Sequence, residues 1–253
     1  MSNTFTLNDL ELLINYAKLR NNSKSDYFLF QKYQGELLVK FLSNKDIKIS
    51  GKELLDLGCG FGGYSKAFLD AGAKVIGFDL SPIKGHNDIL MISGDALSLP
   101  FENESFDVVI SASLIEHVSQ PLLLINEANR VLKSGGILYL SFPPFYSPVG
   151  GHQFSPYHLL GERIALLLSQ KFNFYRPSPW IKDSSKAGKV NYKAAYGKWG
   201  LYPMTIKKFC NMVKNFPLNI ICQSTRYSPI NFSRIPIIGE FLTLHVQFIL
   251  KKQ

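Results

Sequence analysis

The apolar positions fall first into a helical rhythm. Leu10, Leu13, Ile14 and Ala17 recur three or four residues apart, and so do Phe30, Tyr33, Leu37, Leu38 and Phe41, which predicts helices from Leu7 to about Arg20 and from Tyr27 to about Leu42. Between them, NNSKSD supplies turn and capping residues. From Lys52 the rhythm changes to short apolar runs, ELLDL, AKVIGFDL, DILMISGD, FDVVISAS and GILYLSF, alternating with helix-like segments such as KAFLDAG and PLLLINEANRVL. Strands that alternate with helices predict an α/β fold with a parallel sheet wound by crossovers. One crossover is short: the nine residues from Leu80 to Asp88 fall below the ~10 to 12 that such a connection takes, so a helix of about one turn or a displaced strand is expected there.

After Phe142 the pattern breaks into FPPFYSPVGGHQFSPYH, rich in Pro, Gly and aromatic residues. A helix is expected from Pro156 to Ser169 and another from Thr205 to about Val213. Two strand-like runs, LNIICQSTRY and FLTLHVQFIL, close the chain around the apolar loop SPINFSRIPIIGE. The stretch Lys171 to Gly200 has no period and interleaves Phe172, Phe174, Tyr175, Trp180, Tyr192, Tyr196 and Trp199 with Arg176, Lys182, Lys186, Lys189, Lys193 and Lys198. An irregular stretch of that length inside a compact domain points to function or to mobility, the alternative being a solvated loop whose aromatics cap the core.

Composition sharpens this picture in two respects. With 253 residues and 46% hydrophobic content the chain can fill the core of one large α/β domain. Its three cysteines, Cys59, Cys210 and Cys222, are odd in number and lack metal-ligand spacing, which argues for a reducing compartment and against a disulfide scaffold. The N-terminus carries acids and no basic-then-apolar signal, and no run approaches the ~20 apolar residues of a spanning helix, so the expected location is cytoplasmic or membrane-peripheral. The charge is divided: residues 1–150 hold 13 Lys+Arg against 16 Asp+Glu, whereas residues 151–253 hold 15 against 3. A basic face of that kind can meet acidic small molecules, nucleic acid or an anionic membrane, and charge alone does not choose.

The candidate chemistry begins at LLDLGCGFGGYS, residues 54–65. Gly58-Cys59-Gly60 follows a strand and precedes a helix near Gly63, so glycine there serves either a tight turn alone or a ligand that must touch bare backbone. Three features favour a ligand and shape it. Asp56 stands before the loop, where it would repel a phosphate. Asp79 ends the next strand 19 residues beyond Gly60, the spacing at which a carboxylate accepts from two ribose hydroxyls. Gly94-Asp95-Ala96 follows the third strand at the same sheet edge, in reach of an adenine.

Together with VIGFDLSP, GDALSLPFENESFDVVISASLIEHV and EANRVLKSGGILYLSFP, this resembles the class I S-adenosylmethionine-dependent methyltransferases over about Glu53 to Phe142, in the small-molecule, methyltransferase-11-like branch. The signatures read Ile115-Glu116-His117-Val118 and Arg130 to Gly136, with Ser134 where the family usually has proline. The resemblance implies a Rossmann-like, mostly parallel seven-stranded sheet with an antiparallel last strand. It implies that Asp56, Gly58, Cys59 and Gly60 line the methionine moiety of S-adenosylmethionine, that Asp79 and Leu80 hold the ribose, that Asp95 and Ala96 contact the adenine, and that Ser111 faces the sulfonium; it implies no metal. The expected layout is a single domain over 1–253: N-terminal helical lid 1–50, cofactor core 51–142, basic acceptor region 143–215 and C-terminal β-hairpin 216–253.

Methyl transfer needs an acceptor held in line with the donor, and a base only when the acceptor is a hydroxyl or a cationic amine. His117 and His152 are the candidate bases. For His117 the alternative is a helix-start histidine bonded to backbone, and for His152, beside two glycines, a solvated side chain. Tyr157, His158, Arg176 and Trp180 are candidates for the acceptor region, with core or surface roles as the alternative for each. Three functions remain open: a methyltransferase for a small anionic acceptor, sugar- or lipid-linked; an RNA methyltransferase using the basic half; and a non-catalytic binding module that kept the fold. Ile235-Pro236-Ile237-Ile238 beside Arg226, Arg234, Lys251 and Lys252 offers either a membrane contact or a loop packed on its own core.

Overall fold

The computed structural model describes residues 5–82, 88–172, 201–228 and 230–253. Two helices come first, α1 (Leu7–Leu19) and α2 (Lys24–Ser43). α1 starts in a capping box between Thr6 and Asp9, and Asp9 also reaches Lys40 of α2 at 3.0 Å, so one carboxylate both starts the first helix and ties it to the second. Ser23 caps α2, which therefore begins three residues before the position expected from its apolar face.

Seven strands follow: β1 (Glu53–Leu57), β2 (Lys74–Asp79), β3 (Leu90–Ser93), β4 (Phe106–Ala112), β5 (Leu132–Phe142), β6 (Leu218–Thr225) and β7 (Val246–Lys252). They form one sheet in the order β3-β2-β1-β4-β5-β7-β6. β1 to β5 pair in parallel, and β7 lies antiparallel between β5 and β6. β3 sits directly beside β2 despite the short connection, so the strand is not displaced; the middle of that connection, 83–87, lies outside the described residues.

Helices cover both faces, which is why the inner strands read as nearly continuous apolar runs. Leu54, Val108, Ile110, Tyr139 and Ile249 point to one face and pack with Leu38, Phe41 and Leu42 of α2 and Phe68 of α3 (Gly63–Asp70). Leu55, Leu57, Val109, Leu138, Leu140, Phe248 and Leu250 point to the other. There they meet Leu124, Ile125 and Ala128 of α4 (Pro121–Val131) and Phe209 and Val213 of α6 (Ile206–Val213). Arg130 of α4 clamps that layer to the loop before β4: its guanidinium pairs with Glu127 at 2.8 Å and donates to the carbonyls of Leu99 and Phe101, while Glu127 accepts from the Leu99 N–H. The Arg of the RVLKSGG stretch is thus a structural clasp.

Two elements differ from expectation. The helix expected over Pro156–Ser169 is broken: a 3-10 turn spans Tyr157–Leu160, Gly161 takes φ 88° and ψ 162°, and α5 runs Glu162–Lys171. Only glycine adopts that conformation readily, so it divides the apolar pattern into two pieces. The last strand starts at Val246 rather than Phe241, because Ile238–Leu242 forms a short helix, α7. Glu240 of α7 accepts from the Ile206 and Lys207 N–H groups, both at 3.0 Å, and so satisfies the open N-terminus of α6.

Gly63, the last glycine of LLDLGCGFGGYS, has a packing role. A Cβ on Gly63 would stand 2.7 Å from the Lys32 N and the Phe28 O of α2, and one on Gly35 would stand 2.7 Å from the Ala67 Cβ of α3. α2 and α3 therefore cross at backbone contact. Gly63→Ala is expected to lower stability by about 2 kcal/mol, seen as a fall of several degrees in Tm; an unchanged Tm would show that the contact can open without cost.

Candidate active site

The strand order reverses between β1 and β4, and open α/β sheets bind ligands at the carboxyl ends of strands where that happens. The glycine loop lies at this point. Gly58 and Gly60 take φ of 79° and 54°, and the Gly58 N–H donates to the Phe78 O of β2 at 2.8 Å. Leu114, from the turn after β4, covers Gly58 so closely that a Cβ there would meet it at 3.3 Å. Cys59 is buried and fills the space above Gly77; burial, with Asp56 and Asp79 nearby, pushes its thiol far up, so it is inert packing.

Asp79 projects from the end of β2 over this loop. One carboxylate oxygen accepts from the Gly60 N–H at 3.0 Å and the other from the Ser81 N–H at 2.9 Å. Each oxygen keeps a lone pair, so the group is oriented and still able to accept from a ligand. Leu80 is half-buried beside it. Asp56 is placed differently: it is buried behind the loop, and one oxygen accepts from the Ser65 hydroxyl of α3 at 2.6 Å. Desolvation, only partly offset by Ser65 and reinforced by the Asp79 charge, pushes its carboxyl up to about 7.

Asp95 is exposed after β3 and accepts from the Leu97 N–H at 2.9 Å, with Ala96 half-buried next to it. The Gly94 N–H donates to the Asp79 carbonyl, which joins this turn to the end of β2. Ser111 is buried near the end of β4, and its Oγ has no hydrogen-bond partner.

The C-terminal end of β4 leads into a denser polar cluster. Ile115–His117 is a 3-10 turn with Glu116 fully inside, its backbone carbonyl accepting from the Tyr202 N–H at 2.8 Å. The rings of His117 and His152 meet edge to face with centroids 4.8 Å apart. His152 is therefore not the solvated residue that two adjacent glycines allowed: it sits in a 3-10 turn at φ 49°, its Nε2 enclosed and 3.7 Å from Glu116 Oε1. Burial lowers its imidazole to about 4, and burial raises the Glu116 carboxyl to about 7.

His158 is buried, and its Nε2 meets the Phe145 carbonyl at 2.7 Å, so it holds the Phe145–Gly151 loop instead of facing open space. Tyr157 packs with Phe154, Ala165 and Leu201. Arg176 and Trp180 lie outside the described residues.

Two residues have surroundings that the sequence did not indicate: Arg226, expected at a basic membrane cluster, and His245, for which no role was expected. Arg226 is buried, lies over the rings of Tyr64 and Tyr227 with its guanidinium carbon 5.1 and 4.6 Å from their centroids, and donates to the Tyr64 hydroxyl at 2.6 Å and the Gln34 carbonyl at 3.1 Å. His245 meets Ser113 Oγ at 2.9 Å through its Nε2. Arg226 follows the end of β6 and His245 precedes the start of β7, positions whose significance appears only once these strands pair and β7 lies against β5. The proposed membrane cluster is not assembled: Arg226 is inside, and Lys252 donates to the Leu132 and Asn129 carbonyls at the far end of β7. Nor is the apolar loop packed on its own core, since Ile235, Ile237 and Ile238 are exposed. No helix among the described residues is long and apolar enough to cross a membrane.

Residues 55–140 match the family model described as a methyltransferase domain. An uncharacterized methyltransferase of Mycobacterium leprae is 36% identical over 119 residues, which cover 44% of this chain and 44% of that protein. One from Mycolicibacterium vanbaalenii is 34% identical over 136 residues, 51% of this chain and 53% of its own. The chain thus spans about half the length of the curated relatives it matches. Among solved structures, an S-adenosylmethionine-dependent methyltransferase from Mesorhizobium loti aligns with a TM-score of 0.53 and 19% identity, covering 81% of this chain and 93% of that one. A Methanosarcina mazei protein described in the same terms gives a TM-score of 0.52 and 19% identity, covering 80% and 93%. These structural likenesses establish the shared fold.

Proposed function

We propose, from the match of residues 55–140 to the methyltransferase-domain family model, that the chain is an S-adenosylmethionine-dependent methyltransferase of class I that transfers a methyl group to an oxygen or nitrogen atom of a small anionic acceptor, sugar- or lipid-linked. The observation that carries the donor assignment is Asp79, fixed by two backbone N–H groups over a glycine loop of positive φ with lone pairs still open. The residues fit the nucleoside and amino-acid parts of the donor and do not fit a pyrophosphate, because the Asp79 carboxylate stands over the loop.

When bound, S-adenosylmethionine supplies a methyl group already activated by its sulfonium. The protein's part is then to orient the acceptor and keep water out, and orientation can supply up to ~7 to 11 kcal/mol of the barrier. Asp79 fixes the ribose end, and Asp95 with Ala96 borders the adenine. Ser111, with its unpaired Oγ, marks the reacting end of the site at β4. His117, in the turn that follows β4, and His152, in ring contact with it, are the groups assigned to the acceptor.

The acceptor class rests on two observations. Residues 151–253 carry 15 Lys+Arg against 3 Asp+Glu, which favours an anion. Tyr146 and Phe241 are exposed and in ring contact, with Leu242 exposed next to Phe241, an apolar surface suited to a lipid-linked molecule. Incubation with methyl-labelled S-adenosylmethionine and cell extract separated into lipid, glycan, RNA and small-metabolite fractions tests this. Label in the lipid or glycan fraction is expected. Label in RNA, with binding that weakens steeply with salt, would replace the small-acceptor reading; no transfer to any fraction would remove the enzymatic one.

A further inference from the structure

We propose that Glu116, His117 and His152 bind one divalent transition-metal ion of the zinc type. Two imidazoles and one carboxylate offer ligand atoms that all lie within 4.8 Å of one another, the one such group among the described residues. Glu116 is 3% exposed, and neither of its oxygens has a hydrogen-bond partner. A buried carboxylate without a donor is costly and calls for a partner. His152 Nε2 is likewise enclosed without a hydrogen bond, 3.7 Å from Glu116 Oε1. A simple ion pair does not account for this, since that distance is too long for a hydrogen bond and the second oxygen of Glu116 would stay unpaired.

The backbone holds the three residues in place. The His117 N–H donates to the Leu114 carbonyl, the Tyr202 N–H to that of Glu116, the His152 N–H to that of Val149, and the Gly151 N–H to the Ser155 hydroxyl. His152 adopts φ 49°, a conformation a non-glycine residue rarely takes without cause. Ligands ~2.0 to 2.2 Å from a common ion stand roughly 3 to 3.5 Å apart, so closure from the present spacing needs movements of about 1 Å, within reach of side-chain torsions.

The donor set selects the ion. Imidazole favours zinc, iron, copper and nickel over magnesium and calcium, and two histidines with one glutamate are a known zinc set that leaves a coordination position open. At the acceptor end of β4, that position suits an oxygen of the acceptor, a hydroxyl or carboxylate. This use of the ion rests on the methyltransferase reading; its binding does not. As ligands, the two histidines would act through the ion and not as free bases.

The test is calorimetric titration of the full chain, stripped with a chelator, with Zn²⁺, followed by the absorption spectrum with Co²⁺. One saturable equivalent is expected, at least tenfold weaker in Glu116→Gln and in His152→Ala, with Mg²⁺ failing to compete. Unchanged S-adenosylhomocysteine affinity in those variants shows that they fold. The Co²⁺ spectrum needs no variant: ligand-field bands without thiolate charge transfer support the site, whereas thiolate bands would assign the ion to cysteine. The proposal falls if the wild type takes up no stoichiometric ion, or if both variants bind it as tightly as the wild type. Zinc binding without methyl transfer would leave the site standing and remove the enzymatic reading.

Discussion

Asp79→Asn is expected to weaken S-adenosylmethionine binding about a hundredfold while leaving the chain folded. Both oxygens of Asp79 already accept from backbone, Gly60 N–H on one side and Ser81 N–H on the other. An amide can serve only one of them; its NH₂ must face the other N–H, so either the glycine loop or the turn after β2 loses its anchor. The same exchange removes the negative charge that would accept from two ribose hydroxyls. Hydrogen bonds to charged groups are worth roughly 1.5 to 3 kcal/mol each, and a net loss of about 3 kcal/mol is the hundredfold change. Calorimetry with S-adenosylmethionine on both proteins measures it, with thermal denaturation as the control for folding. An affinity within threefold of the wild type would detach the ribose from Asp79, whatever the loop geometry.

Much of this arrangement was legible beforehand, and for a physical reason. Inner strands covered on both faces leave dense apolar runs, and helices leave a 3.6-residue period, so the alternation from Glu53 to Phe142 announced a wound parallel sheet. The glycines of the loop were legible because positive φ and close approach leave few substitutes. What escaped has causes of its own. The break at Gly161 is one residue's conformation inside an amphipathic pattern that continues through it. The start of β7 was hidden because α7 is apolar and short, and its purpose, capping α6 through Glu240, is a contact between segments 33 and 34 residues apart. Such contacts leave no local signature.

The acceptor side shows the same division. His117 and His152 were drawn out by residue type, but what joins them is Glu116, buried in the turn between β4 and α4 and read from sequence only as part of a signature. Its importance lies in lacking a partner, which depends on the folds of residues 145–158 and 201–204 above it. Arg226 was misplaced for the same reason: an arginine after a strand reads as surface charge, here as part of a membrane cluster, until the rings of Tyr64 and Tyr227 are found against its guanidinium.

The stability of the wild type is expected to fall relative to Asp56→Asn as pH rises from about 4 to about 7. Asp56 is raised from the ordinary 3.8 to about 7, first by desolvation and then by the charge of Asp79, against the opposing hydrogen bond from Ser65. Across that window the folded protein keeps a proton that the unfolded chain has released, so stability declines with rising pH and the full loss is reached above pH 7. A shift of about three units corresponds to about 4 kcal/mol, an upper figure because local rearrangement or water entry relieves part of it. Asparagine cannot ionise and can still accept from Ser65 through its carbonyl, so the variant lacks this decline. Urea unfolding at pH 5, 6, 7 and 8 reads the difference directly: the gap between the two proteins should widen toward high pH by a few kcal/mol. Parallel profiles would mean that Asp56 is already ionised in the folded state, with solvent or a cation reaching it behind the loop. The expected outcome ties the opening motif to its energetic cost: the acid behind the glycines is held at the edge of ionisation, and a cationic ligand above the loop would draw it to the charged form.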